Sequence, residues 1–314
     1  MSIPLPAKKK RFIFLLSALF LVNCRAQEKW NSYTLFFFDT VCDIQVFCPP
    51  SQVEATQKEI SRIFTDIEKK FSPGREDFTS PPVLELFHKS LRVYRDSGGY
   101  FDITVGPLSE LWGISTKAYR VPSPEEVAKT LDLVGLEKIK EEGGRLSPQP
   151  GMKLDWGGIA KGWGVDLAAR AMREMGIARG FINCGGDLYC WGTNPENKPW
   201  KIGIKHPRQQ GYLGVISVSG MAVATSGDYQ RYFEEGGVRY HHIFDPRTGY
   251  PARGKQGVTI VGPETVYCDA LATALFAGSN PEAIIKKYPE YGALVVESNG
   301  NVVILGKAYP VELF

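Results

Sequence analysis

Hydrophobic and polar positions change period several times along the chain. Tyr33 to Phe47 is rich in aromatic and β-branched residues and predicts a strand. Pro49-Pro50-Ser51 then opens a helix through Lys70, with Val53, Ile60, Ile63, Phe64 and Ile67 at helical spacing. A polar loop is expected from Phe71 to Pro82. The helix after it, about Val83 to Arg95, stops at the Gly98-Gly99 pair. Ser123-Pro124-Glu125-Glu126 joins an N-cap, a proline and first-turn acids, and predicts a helix start. Met152 to Asp155 predicts a short strand and Ile159 to Met175 a helix. From Phe181 to Ile243 the pattern turns to short β runs separated by Gly, Asn and Pro. A helix from about Glu264 to Phe276 and another from Pro281 follow, then strands near Ala293–Glu297 and Val302–Leu305. Strands and helices cluster without strict alternation, which predicts an α+β fold of two intimate halves sharing one site at their junction.

Composition narrows the classes. The 314 residues are 43% hydrophobic and 23% charged, the balance of a globular protein. The formal charge of +3 has a local origin. Lys8, Lys9, Lys10 and Arg11 precede an apolar run from Phe12 to Val22, which predicts an export signal over residues 1–23. Taking those four cations from 37 leaves 33 basic against 34 acidic residues over 24–314. No basic surplus remains to hold a polyanion, so no nucleic-acid partner is expected. Leu21-Val22-Asn23-Cys24 resembles a lipobox, which predicts diacylation of Cys24 and a lipid anchor facing the periplasm or cell exterior. An ordinary secreted protein with an incidental Cys24 is the alternative, and both are exported. Cys42, Cys48, Cys184, Cys190 and Cys268 lack zinc-site spacing. Core packing is expected for Cys184 and Cys190, with a disulfide left open.

Four segments could carry chemistry. Asp155-Trp156-Gly157-Gly158-Ile159-Ala160-Lys161-Gly162 is a strand-to-helix turn where glycine admits a close ligand and free N–H groups suit phosphate. It is neither a Walker A loop nor G-x-G-x-x-G. Asn183-Cys184-Gly185-Gly186-Asp187 reads most simply as a hairpin turn. Thr225-Ser226-Gly227-Asp228-Tyr229 precedes Tyr240-His241-His242-Ile243-Phe244-Asp245-Pro246-Arg247-Thr248-Gly249, where two of the chain's four His stand together. Asp269 and Thr273 are four apart on a helix, so their oxygens share a face and suit a hard cation such as Mg²⁺. Taken alone, the pair reads more simply with Asp269 as an N-terminal charge complementing the helix dipole. A Ser226–His242–Asp245 hydrolase lacks the G-x-S-x-G elbow, and on a strand His242 and Asp245 would face apart.

Together these segments resemble the ApbE family, the FAD:protein FMN transferases. The resemblance runs through Phe38-Asp39-Thr40, Gly98 to Leu108, Leu111-Trp112-Gly113, Leu154 to Gly162, Ile182 to Asp187, Ala224 to Asp228, His242 to Gly249 and Asp269 to Leu275. It implies an ApbE-like fold of mixed and antiparallel sheet around a central FAD and Mg²⁺ site. It also implies Mg²⁺-dependent transfer of FMN from FAD to a Thr or Ser of an acceptor protein, with AMP released. Family acceptors carry D-G-x-[ST]-G-A-T in subunits of Rnf or Na⁺-translocating NADH:quinone reductase type, and this chain has no such motif.

On the matching positions the resemblance implies metal ligands at Asp269, Thr273 and the Ala160 carbonyl, and a base at His242. It implies flavin-nucleotide contacts at Phe38, Tyr100, Phe101, Asp102, Gly157, Trp163 and Ile243. His241 is expected to face away. Two departures stand out. Pro73-Gly74-Arg75-Glu76-Asp77-Phe78 replaces a longer family stretch after Phe71-Ser72, and Trp156 stands where an aliphatic residue is usual. The alternatives are a Mg²⁺-dependent FAD pyrophosphatase and a lipoprotein that holds FAD without cleaving it.

Overall fold

The computed structural model describes residues 27–72, 74 and 77–314. The expected export signal and Cys24 lie outside the described residues, as do Pro73, Arg75 and Glu76 of the departing loop. The expected strand over Tyr33–Phe47 is instead a hairpin of β1 (Lys29–Phe37) and β2 (Thr40–Cys48), turning at Phe38-Asp39. Helix α1 (Val53–Phe71) buries Ile60, Ile63, Phe64 and Ile67, the apolar stripe of the sequence. Helix α2 (Pro81–Ser97) starts two residues earlier than expected and ends on a left-handed Gly98, with the Gly99 N–H donating to Tyr94 O at 2.8 Å.

The next stretch is a satellite. Helices α3 (Gly106–Leu111) and α4 (Pro124–Leu131) pack a small core of Leu108, Trp112, Val127 and Phe244, and Ser123 with Glu126 forms a capping box on α4. A short exposed hairpin, β3 (Lys140–Glu142) and β4 (Arg145–Ser147), follows. Met152–Asp155 forms no strand. Its one backbone–backbone bond to a distant segment is from Asp155 N–H to Ile103 O, at 2.6 Å, too little for a ladder.

The second half supplies α5 (Ala160–Glu174), β5 (Gly180–Cys184), β6 (Asp187–Trp191), β7 (Trp200–Lys205), β8 (Tyr212–Val218), β9 (Met221–Gly227), β10 (Tyr232–Glu235) and β11 (Val238–His241). It ends with β12 (Lys255–Gly262), α6 (Thr265–Ala277), α7 (Pro281–Ile285), β13 (Gly292–Glu297), β14 (Val302–Gly306) and β15 (Val311–Leu313). Eight strands form one antiparallel sheet in the order β1-β2-β5-β6-β9-β12-β13-β14. Alternate residues serve two cores. Ala222, Ala224, Val258, Ile260, Ala293 and Val295 face the helices, while Leu188, Val223, Val261, Leu294 and Val296 face a small sheet ordered β15-β8-β7. The fold is thus the α+β arrangement expected. Cys42 and Cys184, opposed on β2 and β5, form a disulfide, whereas Cys190 is a free thiol buried between the sheets.

Helix α6 lies at the centre, packed on β9, β12, α5 and α2. It is apolar nearly all round, as a helix enclosed on every side must be. With 13 residues it is too short for a bilayer, and among the described residues no helix is long and apolar enough to cross one. Its own N-cap residue, Glu264, makes no side-chain capping bond. Asp166 of α5 does this work: its two carboxylate oxygens accept from Thr265 N–H and Val266 N–H, both at 2.8 Å.

Burial raises the Asp166 carboxyl to about 6, against the pull of those hydrogen bonds. A folded pKa above the unfolded one means that the group's contribution is full below about pH 4 and is lost as pH rises through 6. The melting temperature of the wild type relative to Asp166→Asn is therefore expected to fall across that window. Melts of both proteins at several pH values check this, and parallel curves would count against it.

Candidate active site

The site forms where the glycine turn before α5 meets one face of α6. Gly162 N–H donates to Asp269 Oδ2 at 3.1 Å. The approach is close because Gly162 has no side chain: a Cβ there would lie 2.5 Å from Thr265 O and 2.9 Å from Asp269 Cβ. One turn along α6 from Asp269, Thr273 is the single residue of the helix that is not buried. Its Oγ1 lies 3.2 Å from Ser226 Oγ at the end of β9. A Cβ on Gly158 would come 3.2 Å from that Oγ1 and 3.3 Å from the Phe101 ring, so turn, helix face and Phe101 converge. Ala160, the first residue of α5, stands on the same turn.

The charges are balanced in an unusual way. Lys161 forms an ion pair with the buried Asp187, which the Gly185-Gly186 hairpin turn presents at the start of β6. Burial pushes the Asp269 carboxyl up, and the nearby Lys161 charge and the Gly162 N–H pull it back. Among the described residues no cluster of three or more His, Cys, Asp or Glu could hold a metal ion. The oxygens gathered here come from one carboxylate, two hydroxyls and the adjoining turn, a donor set that suits a hard cation and not zinc.

His242 follows directly on β11, and its main chain and ring both engage one carbonyl. Arg231 O accepts from His242 N–H at 3.1 Å and lies 3.2 Å from Nδ1. Because a carbonyl only accepts, Nδ1 carries the proton and Nε2 keeps its lone pair. Burial lowers the imidazole pKa to about 4, with the charges of Arg231 and Lys161 adding to the effect. The ring is thus neutral at neutral pH and able to take a proton. His241 is a contrast. Its Nε2 donates to Ala252 O at 2.8 Å and its Nδ1 accepts from Ile243 N–H, so both nitrogens are spent on the fold.

The remaining expected residues are distributed around this centre. Phe38 and Asp39 both adopt left-handed φ values, 57° and 54°, in the β1–β2 turn, which is uncommon for a ring-bearing residue. The Phe38 ring packs on Phe64 of α1 and beside Gly164 of α5. Trp163 meets Phe71 edge-on, on the same α1 side of α5. Trp156 is buried against Phe71 as a packing residue. Gly157 N–H donates to Asp155 Oδ1 at 2.8 Å, shaping the turn.

Asp102 has a positioning job. It accepts from Thr104 N–H, Thr104 Oγ1 and Leu136 N–H, and burial raises its carboxyl to about 6. Ile243 is buried, next in sequence to His242. Tyr100 donates to or accepts from Ser279, carries the Arg247 guanidinium 3.9 Å above its ring, and walls a cleft of about 700 Å³ at the far end of α6.

The hydrolase relay is absent. Ser226 pairs with Thr273, and Asp245 accepts from Arg247 within its own turn. Sequence reading passed over Lys161 and Asp187 as a pair, and Ser226 as the partner of Thr273. The signals were the lysine inside Ile159-Ala160-Lys161-Gly162 and the acid after Gly185-Gly186, but only folding shows that they meet.

A glycine turn with an oxygen-lined helix face and a neutral imidazole defines an enzyme site for an anionic, phosphate-bearing ligand. A family model described as the ApbE family matches residues 38–295. A FAD:protein FMN transferase of Vibrio cholerae is 31% identical, over 93% of this chain and 92% of its own length. The crystal structure of the ApbE protein from Thermotoga maritima superposes with a TM-score of 0.82 at 33% identity, covering 88% of this chain and 97% of that one. The flavin transferase ApbE from Vibrio cholerae gives a TM-score of 0.79 at 27% identity, covering 90% and 98%. The chain belongs to the ApbE family.

The two glycines of the turn are expected to differ on substitution. Gly162→Ala drives a methyl into backbone and is expected to cost about 1–3 kcal/mol. Gly158→Ala meets only side-chain atoms and is expected to cost less in stability while crowding Thr273. Denaturant unfolding of both variants checks the order, and equal losses would contradict the packing described.

Proposed function

We propose that this chain is a Mg²⁺-dependent FAD:protein FMN transferase. The observation that carries the proposal is the convergence of the Gly157–Gly162 turn with Asp269 and Thr273, together with a neutral His242 that feels the Lys161 charge and keeps its Nε2 lone pair free. Family membership and the names of the relatives support the same chemistry. Asp269, Thr273 and the Ala160 carbonyl would hold Mg²⁺, which supplies charge neutralisation at the pyrophosphate when bound.

The chain's own groups account for the rest. His242 Nε2 takes the proton of an acceptor Thr or Ser hydroxyl. The hydroxyl oxygen bonds to the FMN phosphorus, the bond from that phosphorus to the bridging oxygen breaks, and AMP leaves with the bridging oxygen. The turn glycines let phosphate oxygens approach the main chain, and the positive end of the α5 dipole favours their charge. Phe38, Tyr100, Phe101, Asp102, Gly157, Trp163 and Ile243 form the proposed surroundings of the dinucleotide, the aromatic members suiting its flat rings.

The acceptor is proposed to be a protein with a D-G-x-[ST]-G-A-T segment, of the Rnf or Na⁺-translocating NADH:quinone reductase type. Export and diacylation at Cys24 belong to the same proposal, supported by Lys8 to Arg11, the apolar run after them and Leu21-Val22-Asn23-Cys24.

Incubation of residues 25–314 with FAD, Mg²⁺ and an acceptor peptide, followed by mass spectrometry, tests the function. One FMN on the peptide and one AMP released is the expected result. Free FMN with an unmodified peptide would point to a pyrophosphatase, and bound, intact FAD to a carrier. His242→Ala is expected to lower the transfer rate by roughly 10²–10⁴-fold while FAD still binds. Full activity in that variant would remove His242 from the role of base.

A further inference from the structure

The loop between β9 and β10 connects the two functional groups of the site. It follows the end of β9, where Ser226 contacts Thr273, and its last residue is Arg231, whose carbonyl accepts both bonds from His242. Gln230 fastens the loop by donating to Thr225 O at 3.3 Å. The Arg231 main chain is therefore fixed beside the base, and its side chain is exposed.

The arginines around this loop differ in what they hold. Arg208 grips Asp228 with two bonds, at 2.7 and 2.6 Å. Arg239 is shared between Asp228 and Glu234. Arg231 forms no ion pair among the described residues. Across the gap, Lys161 is occupied by Asp187. The charge of Arg231 nevertheless reaches the site: after burial, it is among the causes that lower the basicity of His242. Arg231 is thus held beside His242 by its main chain, with an exposed side chain that forms no ion pair among the described residues.

Resting on the flavin-transfer reading above, we propose that Arg231 is a substrate-binding residue whose guanidinium grips the diphosphate of the dinucleotide next to His242. A planar fork of N–H donors suits phosphate oxygens and accepts growing negative charge on them as the phosphorus is attacked. The cation also has a use in the empty site, where it discourages protonation of the base before substrate arrives.

The test compares two ligands that share the isoalloxazine ring, of which only FAD carries the diphosphate and the adenosine beyond it. FAD and riboflavin are titrated into wild type, Arg231→Gln and Arg231→Lys, with binding followed by flavin fluorescence. Arg231→Gln is expected to weaken FAD roughly 10- to 100-fold and leave riboflavin unchanged, with Arg231→Lys in between. The FAD loss is also expected to shrink at high salt.

Wild-type affinity for FAD in Arg231→Gln overturns the proposal, and so does an equal loss for riboflavin, which would mean a structural role. Unchanged FAD affinity with a raised KM for the acceptor peptide would assign Arg231 to the acceptor and also overturn it. Failure of the wild type to bind FAD would instead remove the flavin-transfer reading, and this proposal with it. Exposure of Arg231 makes a folding defect unexpected, and matching melts of the three proteins establish that.

Discussion

The close approach of α5 to α6, sealed by Gly162 N–H on Asp269, is the constraint on which the rest depends. A side chain at Gly162 would collide with the Thr265 carbonyl and push the helices apart. The glycine turn would then leave Thr273, and the oxygens that make the site would no longer converge. The two helices are tied again at the start of α6, where Asp166 caps Thr265 and Val266. The contact that shapes the site and the contact that anchors the central helix are therefore made by the same pair of helices.

Burial governs the chemistry as well as the packing. Inside this junction a carboxylate is costly, and Asp269 is tolerated because Lys161 and a backbone N–H stand beside it. A bound cation would serve the same end. Burial acts in the opposite sense on His242, keeping the ring neutral, while the Arg231 carbonyl fixes which nitrogen holds the proton. The two neighbouring histidines thus divide by their partners: His241 spends both nitrogens on backbone, and His242 spends one.

Much of this was legible in the sequence because it is local. The stripe of α1, the glycine stop of α2, the Ser123 cap and the apolar α6 are each signalled within a few residues. The hairpin hidden in Tyr33–Phe47 was not, since its turn uses Phe38-Asp39, which continues an aromatic run where Asn-Gly would have marked a break. The three-residue strands at Lys140–Glu142 and Arg145–Ser147 are too short to show a period. The Asp269–Thr273 spacing was visible within one helix. The Cys42–Cys184 disulfide, the Lys161–Asp187 pair and the Ser226–Thr273 contact join residues far apart in the chain. Such meetings are fixed by the sheet order and have no local signature.

The most direct measurement is the Mg²⁺ dependence of FMN transfer to an acceptor peptide by wild type and Asp269→Ala, read by mass spectrometry. The proposed function predicts transfer by the wild type only when Mg²⁺ is present, and its loss in Asp269→Ala at every Mg²⁺ concentration. Wild-type transfer in Asp269→Ala, with the same response to Mg²⁺, would contradict the assignment of the α5–α6 junction as the reacting centre.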